Sequence, residues 1–137
     1  MFIGSGALWG ETILFSMCIL EEMQWKRTRY ITSADFFHGT LELVEPGVPV
    51  FLFMGEDENR KLDERVRAFL TSGVTGDTDI NIIDTAEFAI PGLDDEFRVI
   101  VSPWILSSLI TDRLAAYYET VTKHNLNYRR YYHQFDY

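Results

Sequence analysis

The chain is poor in the residues that build disulfides, metal sites and basic surfaces. Its 137 residues include one cysteine, three histidines and twelve lysines and arginines, against 21 acidic residues. Cys18 has no partner for an internal disulfide, which fits a reducing compartment. The formal net charge of −9 repels phosphate backbones and anionic membranes. We therefore expect neither nucleic acid nor a membrane surface as a partner.

Apolar runs long enough to cross a membrane are absent from the sequence pattern as well. No run approaches the ~18 residues that a membrane span needs. No charged segment followed by an apolar stretch precedes the first predicted strand, so we expect no signal peptide and a cytoplasmic location. Cys18, His124 and His133 are too scattered along the chain to indicate a metal site.

What the sequence does contain is an alternation of apolar runs and helical patterns, which predicts an α/β domain. Strands are expected at residues 1–3, 29–32, 48–54, 80–83 and 97–101, and helices at 7–25, 59–71 and 103–123, with a helical turn at 40–44. Residues 48–54 form a continuous apolar run, which is typical of a parallel strand covered on both faces. We therefore predict a mainly parallel sheet between helices.

Two further expectations concern the second and last helices and the end of the chain. Residues 59–71 are amphipathic, with apolar residues inward (Leu62, Val66, Phe69, Leu70) and charged residues outward (Arg60, Lys61, Asp63, Glu64, Arg67). Pro103 is expected to begin the last helix, where its missing N–H is tolerated. We divide the chain into a domain at 1–123 and an aromatic tail at 124–137, which packs on the domain or on a partner.

The turn Gly4-Ser5-Gly6 lies between the first strand and the first helix. Such a turn exposes backbone N–H groups that can bind an anion or a hydroxyl group. A dinucleotide fingerprint would require glycine at position 9, where the chain has Trp9. We therefore expect no cofactor. The alternative, that these glycines only permit close packing of strand and helix, remains open.

Glu22 and His38 are the candidate acid–base pair. Glu22 lies near the end of the first helix, and His38 follows the second strand, sixteen positions later. A helix C-terminus disfavours negative charge, which hints at a role for Glu22, although most glutamates at such positions are simply solvated. Imidazole can serve as acid or base at neutral pH, although a lone histidine is more often a hydrogen-bonded structural residue.

At this point the motifs resemble a known family, the second sugar isomerase (SIS) domain of phosphosugar isomerases and deglycases. The matching runs are Ile3-Gly4-Ser5-Gly6, Cys18-Ile19-Leu20-Glu21-Glu22 and Ala34-Asp35-Phe36-Phe37-His38-Gly39-Thr40-Leu41-Glu42, with Thr40 where proline is usual. Residues 45–49, 56–60 and 128–132 look most like the fructoselysine-6-phosphate deglycase branch. The resemblance covers nearly the whole chain.

The resemblance implies a three-layer α/β/α fold around a parallel, flavodoxin-like sheet. It also implies that Glu22 is the general base, and that His38 is its acid–base partner, often reaching in from a neighbouring subunit. The substrate would be a phosphorylated sugar or a ketosamine 6-phosphate, bound with the help of Gly4, Ser5 and Gly6. Aligning the tails through Arg129 places His133 where another branch of the family has a substrate-site lysine.

Members of this family usually carry two SIS domains in tandem, and the first holds a Ser/Thr loop that grips the phosphate. We therefore expect this chain to act as a homo-oligomer or together with an N-terminal SIS domain. The alternative is a non-catalytic module that binds a phosphosugar or serves only for dimerisation.

Overall fold

The computed structural model describes all 137 residues and contains one four-stranded parallel sheet. The strands are β1 (Phe2–Gly4), β2 (Tyr30–Ile31), β3 (Val50–Met54) and β4 (Ile80–Asp84). Their order across the sheet is β2-β1-β3-β4, and every pair is parallel. This is the order of the first four strands of a flavodoxin-like sheet. The predicted α/β fold with a mainly parallel sheet is therefore confirmed.

Helical segments connect the strands and cover both faces of the sheet. The N-terminal helix comprises a 3₁₀ turn (Gly6–Leu8), α1 (Trp9–Ile13) and a π-helical segment (Leu14–Met23). Next come α2 (Ser33–Phe36), a 3₁₀ turn (Thr40–Leu43) and α3 (Arg60–Leu70). A 3₁₀ turn (Thr85–Glu87) follows β4, and a second one (Asp95–Phe97) opens the C-terminal helix. That helix continues through α4 (Arg98–Ser107), a π-helical segment (Ser108–Leu114) and α5 (Ala115–Thr122).

Alternating side chains of the strands build two separate hydrophobic cores. On one face, Phe2 and Phe53 pack against buried residues of the N-terminal and C-terminal helices (Leu8, Phe15, Ile19, Leu20, Leu106, Ile110, Ala115). On the other face, Ile3, Leu52 and Met54 pack against buried residues of α2 and α3 (Phe36, Val66, Leu70). The result is the expected α/β/α sandwich, because a parallel sheet needs cover on both sides.

The strand predicted at residues 97–101 is wrong, because these residues begin the C-terminal helix. The run of β-branched residues favours a strand locally, but its backbone is helical from Asp95 onward. Pro103 therefore lies inside α4. Our prediction that Pro103 begins the last helix is wrong. Proline cannot donate to the carbonyl four residues earlier. The hydroxyl group of Ser102 donates to the oxygen of Val99 at 3.1 Å and satisfies that carbonyl instead.

The C-terminal helix is also more apolar than the separate runs in the sequence suggest. Over its 28 residues, Asp95–Thr122, the best window has a mean hydropathy of 1.3, which meets the length and composition of a membrane span. Leu106, Ile110 and Ala115 are nevertheless buried against the sheet. One face of this helix therefore packs in the domain core, although only 22% of the apolar window is buried.

Asp63 is buried, contrary to the prediction that it faces outward from α3. Only 1% of the residue is exposed. Its Oδ1 accepts from the Ser33 hydroxyl at 2.5 Å and its Oδ2 from the Gly55 N–H at 3.2 Å. The N–H of Ser33 donates in turn to the Ser5 hydroxyl oxygen at 2.8 Å. This network ties together the chain segments that leave β1, β2 and β3.

A second polar contact fixes the start of α3 to the end of β4. The guanidinium of Arg60 donates to both carboxylate oxygens of Asp84, at 2.9 and 2.6 Å, and also to the carbonyl oxygen of Gly55. These hydrogen bonds lower the pKa of Asp84 below its ordinary value. Two-point pairing of this kind is both stronger and more directional than a single contact.

We predict that Asp84→Asn lowers the free energy of unfolding by about 1–3 kcal/mol at pH 7, because one charged acceptor of Arg60 is lost. The depressed pKa means that the stabilisation is present above the unfolded-state pKa of Asp84. The difference between wild type and variant should therefore shrink as the pH falls below about 4. Urea unfolding between pH 3 and 7 measures it, with Asp77→Asn in an exposed loop as the control. A difference that does not depend on pH would contradict this assignment.

Asp63 is predicted to have the opposite pH dependence. Burial raises the pKa of its carboxyl above the ordinary value of 3.8, although the hydrogen bonds from Ser33 and Gly55 oppose this. The folded state then binds more protons than the unfolded state between 3.8 and the raised pKa. Wild type should therefore gain stability relative to Asp63→Asn as the pH is lowered from 7 toward 4. Parallel urea titrations test this, and a relative loss over that range would contradict the raised pKa.

Candidate functional site

Glu22 lies on the last turn of the π-helical segment Leu14–Met23, a rare conformation that is frequent at functional sites. The wider turn brings Ser16 and Glu21, five positions apart, to the same side. The Thr28 hydroxyl oxygen lies 2.7 Å from the Ser16 hydroxyl, and its O–H donates to Glu21 Oε1 at 2.5 Å. Thr28 thus holds the carboxylate of Glu21. Glu22 is the next residue of the same turn.

The carboxylate of Glu22 forms a salt bridge with an arginine of the C-terminal tail. Its Oε1 lies 2.9 Å from Arg129 Nε, and both side chains are largely shielded, at 28% and 17% exposure. Arg129 is itself held in place, because its guanidinium donates to the carbonyl oxygens of Leu126 and Tyr128. The tail therefore fixes the direction of the Glu22 carboxylate.

The chain turns sharply after Glu22 through a strained residue. Trp25 has a φ of +53°, in the left-handed region that favours glycine. The N–H of Lys26 donates to the carbonyl of Leu20 at 2.8 Å and closes the helix. Trp25 contacts the tail, with the His124 ring centroid at 4.4 Å and the Arg130 guanidinium carbon at 4.1 Å from its ring centre. Strain of this kind is concentrated at functional sites.

These elements border an open pocket of about 640 Å³ between the helix end and the tail. Its lining consists of two acids, four cations, three aromatic residues and a threonine (Glu21, Glu22, Lys26, Arg27, Arg129, Arg130, Trp25, Tyr131, Tyr132, Thr28). The volume lies in the usual range of small-molecule sites. The pocket can therefore accept a ligand of sugar phosphate size with Glu22 in its wall.

The start of the tail is anchored to the domain, whereas its end is exposed. Gln24 donates through Nε2 to the carbonyl of His124 at 2.8 Å, and its Oε1 accepts from the Thr122 hydroxyl at 2.9 Å. Beyond the pocket, the aromatic residues are half or more exposed, up to 85% for Tyr137. His133 lies next to Tyr132, but outside the pocket lining.

His38 does not reach this pocket within a single chain. It is exposed and lies between Phe37 and Leu41, which pack against the core on the α2 and α3 face of the sheet. The helix that carries Glu22 packs on the opposite face. The structure therefore places the two candidate groups on opposite faces of the sheet.

The Gly4-Ser5-Gly6 turn lies at the other end of the N-terminal helix from Glu22, roughly 20 Å away. Asp57 occupies it: its Oδ2 accepts from the N–H of Ala7 at 2.6 Å. Gly6 has a φ of +53°, and a Cβ there would overlap the Asp57 carboxylate. The Ser5 hydroxyl accepts from Ser33, so the turn is held by the chain's own side chains.

Several residues of the pocket have no site role in our sequence predictions. Lys26, Arg27, Arg129 and Arg130 were not assigned to a site, although the basic pair directly follows the helix of Glu22. Asp57 was likewise missed as the acceptor at the glycine turn. The signal that could have identified them is the clustering of cations in a chain of net charge −9.

Glu22 also affects the thiol of Cys18 in this region. Cys18, one helical turn earlier, is partly buried. Burial raises the pKa of the Cys18 thiol, and the negative charge of Glu22 raises it further. A thiol of this kind stays protonated and unreactive at neutral pH.

Comparison with known proteins relates the chain to sugar-metabolising enzymes. It is 32% identical to the fructosamine deglycase FrlB of Bacillus subtilis over 132 residues, which covers 94% of this chain and 38% of that protein. It is 35% identical to the fructoselysine 6-phosphate deglycase of Escherichia coli over 116 residues, which covers 82% of the chain and 31% of that enzyme. The chain thus spans less than two fifths of these relatives. No protein-family model matches it.

Solved structures agree with the sequence comparison. A Bacillus subtilis protein described as a phosphosugar isomerase superposes with a TM-score of 0.86 at 29% identity, covering 99% of this chain and 40% of that chain. A Salmonella typhimurium protein of the same description gives 0.85 at 30% identity, covering 99% and 41%. These comparisons support an SIS-type domain, related in sequence and fold to the fructosamine deglycases and to proteins described as phosphosugar isomerases.

Proposed function

We propose that the chain is the catalytic half of a deglycase or isomerase that acts on a ketosamine 6-phosphate, with Glu22 as the general base. The observation that carries the proposal is the Glu22 carboxylate in the wall of a sugar-sized pocket, oriented by Arg129 at 2.9 Å. The names of the deglycase relatives support this substrate class.

The chemistry requires only proton transfers and one water molecule. Glu22 removes a proton from C1 of the ketosamine, next to the amine, and an enaminol forms. Delivery of a proton to C2 then gives an imine at C1. Water adds to the imine carbon, the carbon–nitrogen bond breaks, and an aldose 6-phosphate and the free amine leave. A carboxylate can take and return the proton between neighbouring carbons because it stays in place throughout.

His38 enters the proposal as a residue of a second copy. Its position on the opposite face of the sheet leaves it exposed and free to approach the Glu22 pocket of a neighbour. It would act as the acid that protonates the substrate oxygen or assists ring opening. The Gly4-Ser5-Gly6 turn is too far from Glu22 to share a ligand within one chain, so we propose that it contacts the substrate of a neighbouring copy. We propose His133 as a further substrate contact.

The proposal also assigns a role to the part of the relatives that this chain does not cover. An N-terminal SIS domain would bind the phosphate and position the sugar, and the chain would work as a homodimer or as its partner. We further propose a cytoplasmic location, which fits the unpaired, partly buried Cys18.

The second candidate function is a non-catalytic module that binds a phosphosugar or serves for dimerisation. Two observations favour it: the Glu22 carboxylate is already paired with Arg129, and Asp57 accepts the N–H of Ala7, directly after the glycine turn. A module of this kind would bind a sugar phosphate without turning it over.

We predict that Glu22→Gln reduces turnover of fructoselysine 6-phosphate by at least about 10²-fold, because the amide cannot accept a proton. The assay uses the chain combined with the N-terminal part of the Bacillus subtilis deglycase, and it measures release of glucose 6-phosphate. His38→Asn should lower kcat by a similar order. Glu45→Gln, an exposed residue of the same type outside the pocket, is the matched control and should keep wild-type activity.

The outcomes separate the two candidate functions. Full activity of the Glu22→Gln assembly would refute Glu22 as the base. Binding of glucose 6-phosphate by the chain without turnover in any assembly would favour the non-catalytic module.

A further inference from the structure

The pocket is lined by more positively charged side chains than negatively charged ones. Four of the twelve cations of a chain with net charge −9 line this one pocket, together with two acids. Random placement on so acidic a chain would make the pocket acidic. A local excess of cations in a concave site attracts and binds anions.

The two acids already have partners within the chain. Glu21 accepts the Thr28 hydroxyl at 2.5 Å, and Glu22 pairs with Arg129 at 2.9 Å. The four salt bridges of the chain involve only three arginines, Arg60, Arg98 and Arg129. Lys26, Arg27 and Arg130 therefore face the pocket without an acidic partner.

The helix end and the tail bring these three exposed cations to the pocket from two sides. Lys26 and Arg27 directly follow the strained turn at Trp25, and the Lys26 N–H is bonded to the helix end. The guanidinium carbon of Arg130 lies over the Trp25 ring, 4.1 Å from its centre, a contact that places the cation beside the pocket. An arginine can bind a carboxylate or a phosphate through two hydrogen bonds.

We propose that Lys26, Arg27 and Arg130 form an anion subsite that binds an acidic oxygen group of the ligand, beside the Glu22 carboxylate. This inference rests on the proposed function for the identity of the ligand. A ketosamine phosphate offers two such groups. In a ketosamine formed through an α-amino group, the carboxylate lies close to C1, where Glu22 acts; in fructoselysine it lies at the far end of the lysine side chain. The phosphate lies at the opposite end of the sugar from C1.

The subsite gives the pocket a preference for acidic ligands. If it binds the amino acid carboxylate, it selects ketosamines derived from amino acids over those of simple amines. If it binds the phosphate, then this chain supplies a phosphate contact of its own. Either ligand balances the excess positive charge of the pocket.

Calorimetric titration of the whole 137-residue chain tests the subsite without any need for turnover. Glucose 6-phosphate presents the phosphate without a carboxylate, and fructosylglycine presents the carboxylate without a phosphate. Binding of either probe identifies its anionic group as the ligand, and binding should weaken as NaCl is raised from 50 to 500 mM. Failure of both probes to bind would overturn the proposal.

Charge-matched double variants separate the subsite from the general charge of the chain. Lys26→Gln with Arg27→Gln should weaken binding of the active probe by at least about tenfold. Lys61→Gln with Arg67→Gln removes the same charge from the exposed face of α3, and it should leave binding unchanged. Equal affinities of the two double variants would contradict the subsite. Arg130→Gln gives an independent test from the tail side, and circular dichroism checks that each variant is folded.

Glu22→Gln distinguishes this inference from the proposed function. The subsite predicts that this variant still binds the probe, since the three cations are unchanged. Retained binding together with retained turnover in the assembly would refute the catalytic role and leave the subsite standing. Loss of binding in Glu22→Gln would show that the cations do not bind the anion by themselves, and it would contradict the subsite.

Discussion

The parallel sheet is the constraint on which the rest of the structure depends. Its strands are apolar on both faces, so both must be covered, and the chain does this by alternating helices between them. The helix that carries Glu22 therefore lies on one face and the segment that carries His38 on the other. We propose that proton transfer by these two groups joins the pocket of one copy to the histidine of another.

The C-terminal tail supplies the part of the Glu22 pocket that the sheet and its helices do not form. Glu22 lies at a helix C-terminus, where the dipole opposes a negative charge. The guanidinium of Arg129 offsets this repulsion and orients the carboxylate. The same tail brings Arg130 onto Trp25 and closes the pocket wall. A short segment at the end of the chain thus determines both the charge and the shape of the site.

Sequence patterns predicted the parts of this fold that depend on local order, and they failed where distant residues decide. The apolar run at 48–54 and the amphipathic pattern of α3 gave the right elements within one or two residues. Residues 97–101 have the β-branched composition of a strand, but they form a helix in their tertiary context. Asp63 is buried because Ser33, thirty positions away, supplies its hydrogen bond. No local pattern contains that information.

The candidate site likewise has a part that the local sequence predicts and a part that distant residues decide. The motif around Glu22 and His38 was recognisable in the sequence, whereas the pairing of Glu22 with Arg129 joins residues more than a hundred positions apart.

The central claim is that a working site combines Glu22 of one copy with His38 of another, and mixing inactive variants tests it most directly. Co-assembly of equal amounts of Glu22→Gln and His38→Asn should restore up to about a quarter of wild-type sites, since only mixed pairs hold one intact site. No recovery in verified mixed assemblies would contradict the account.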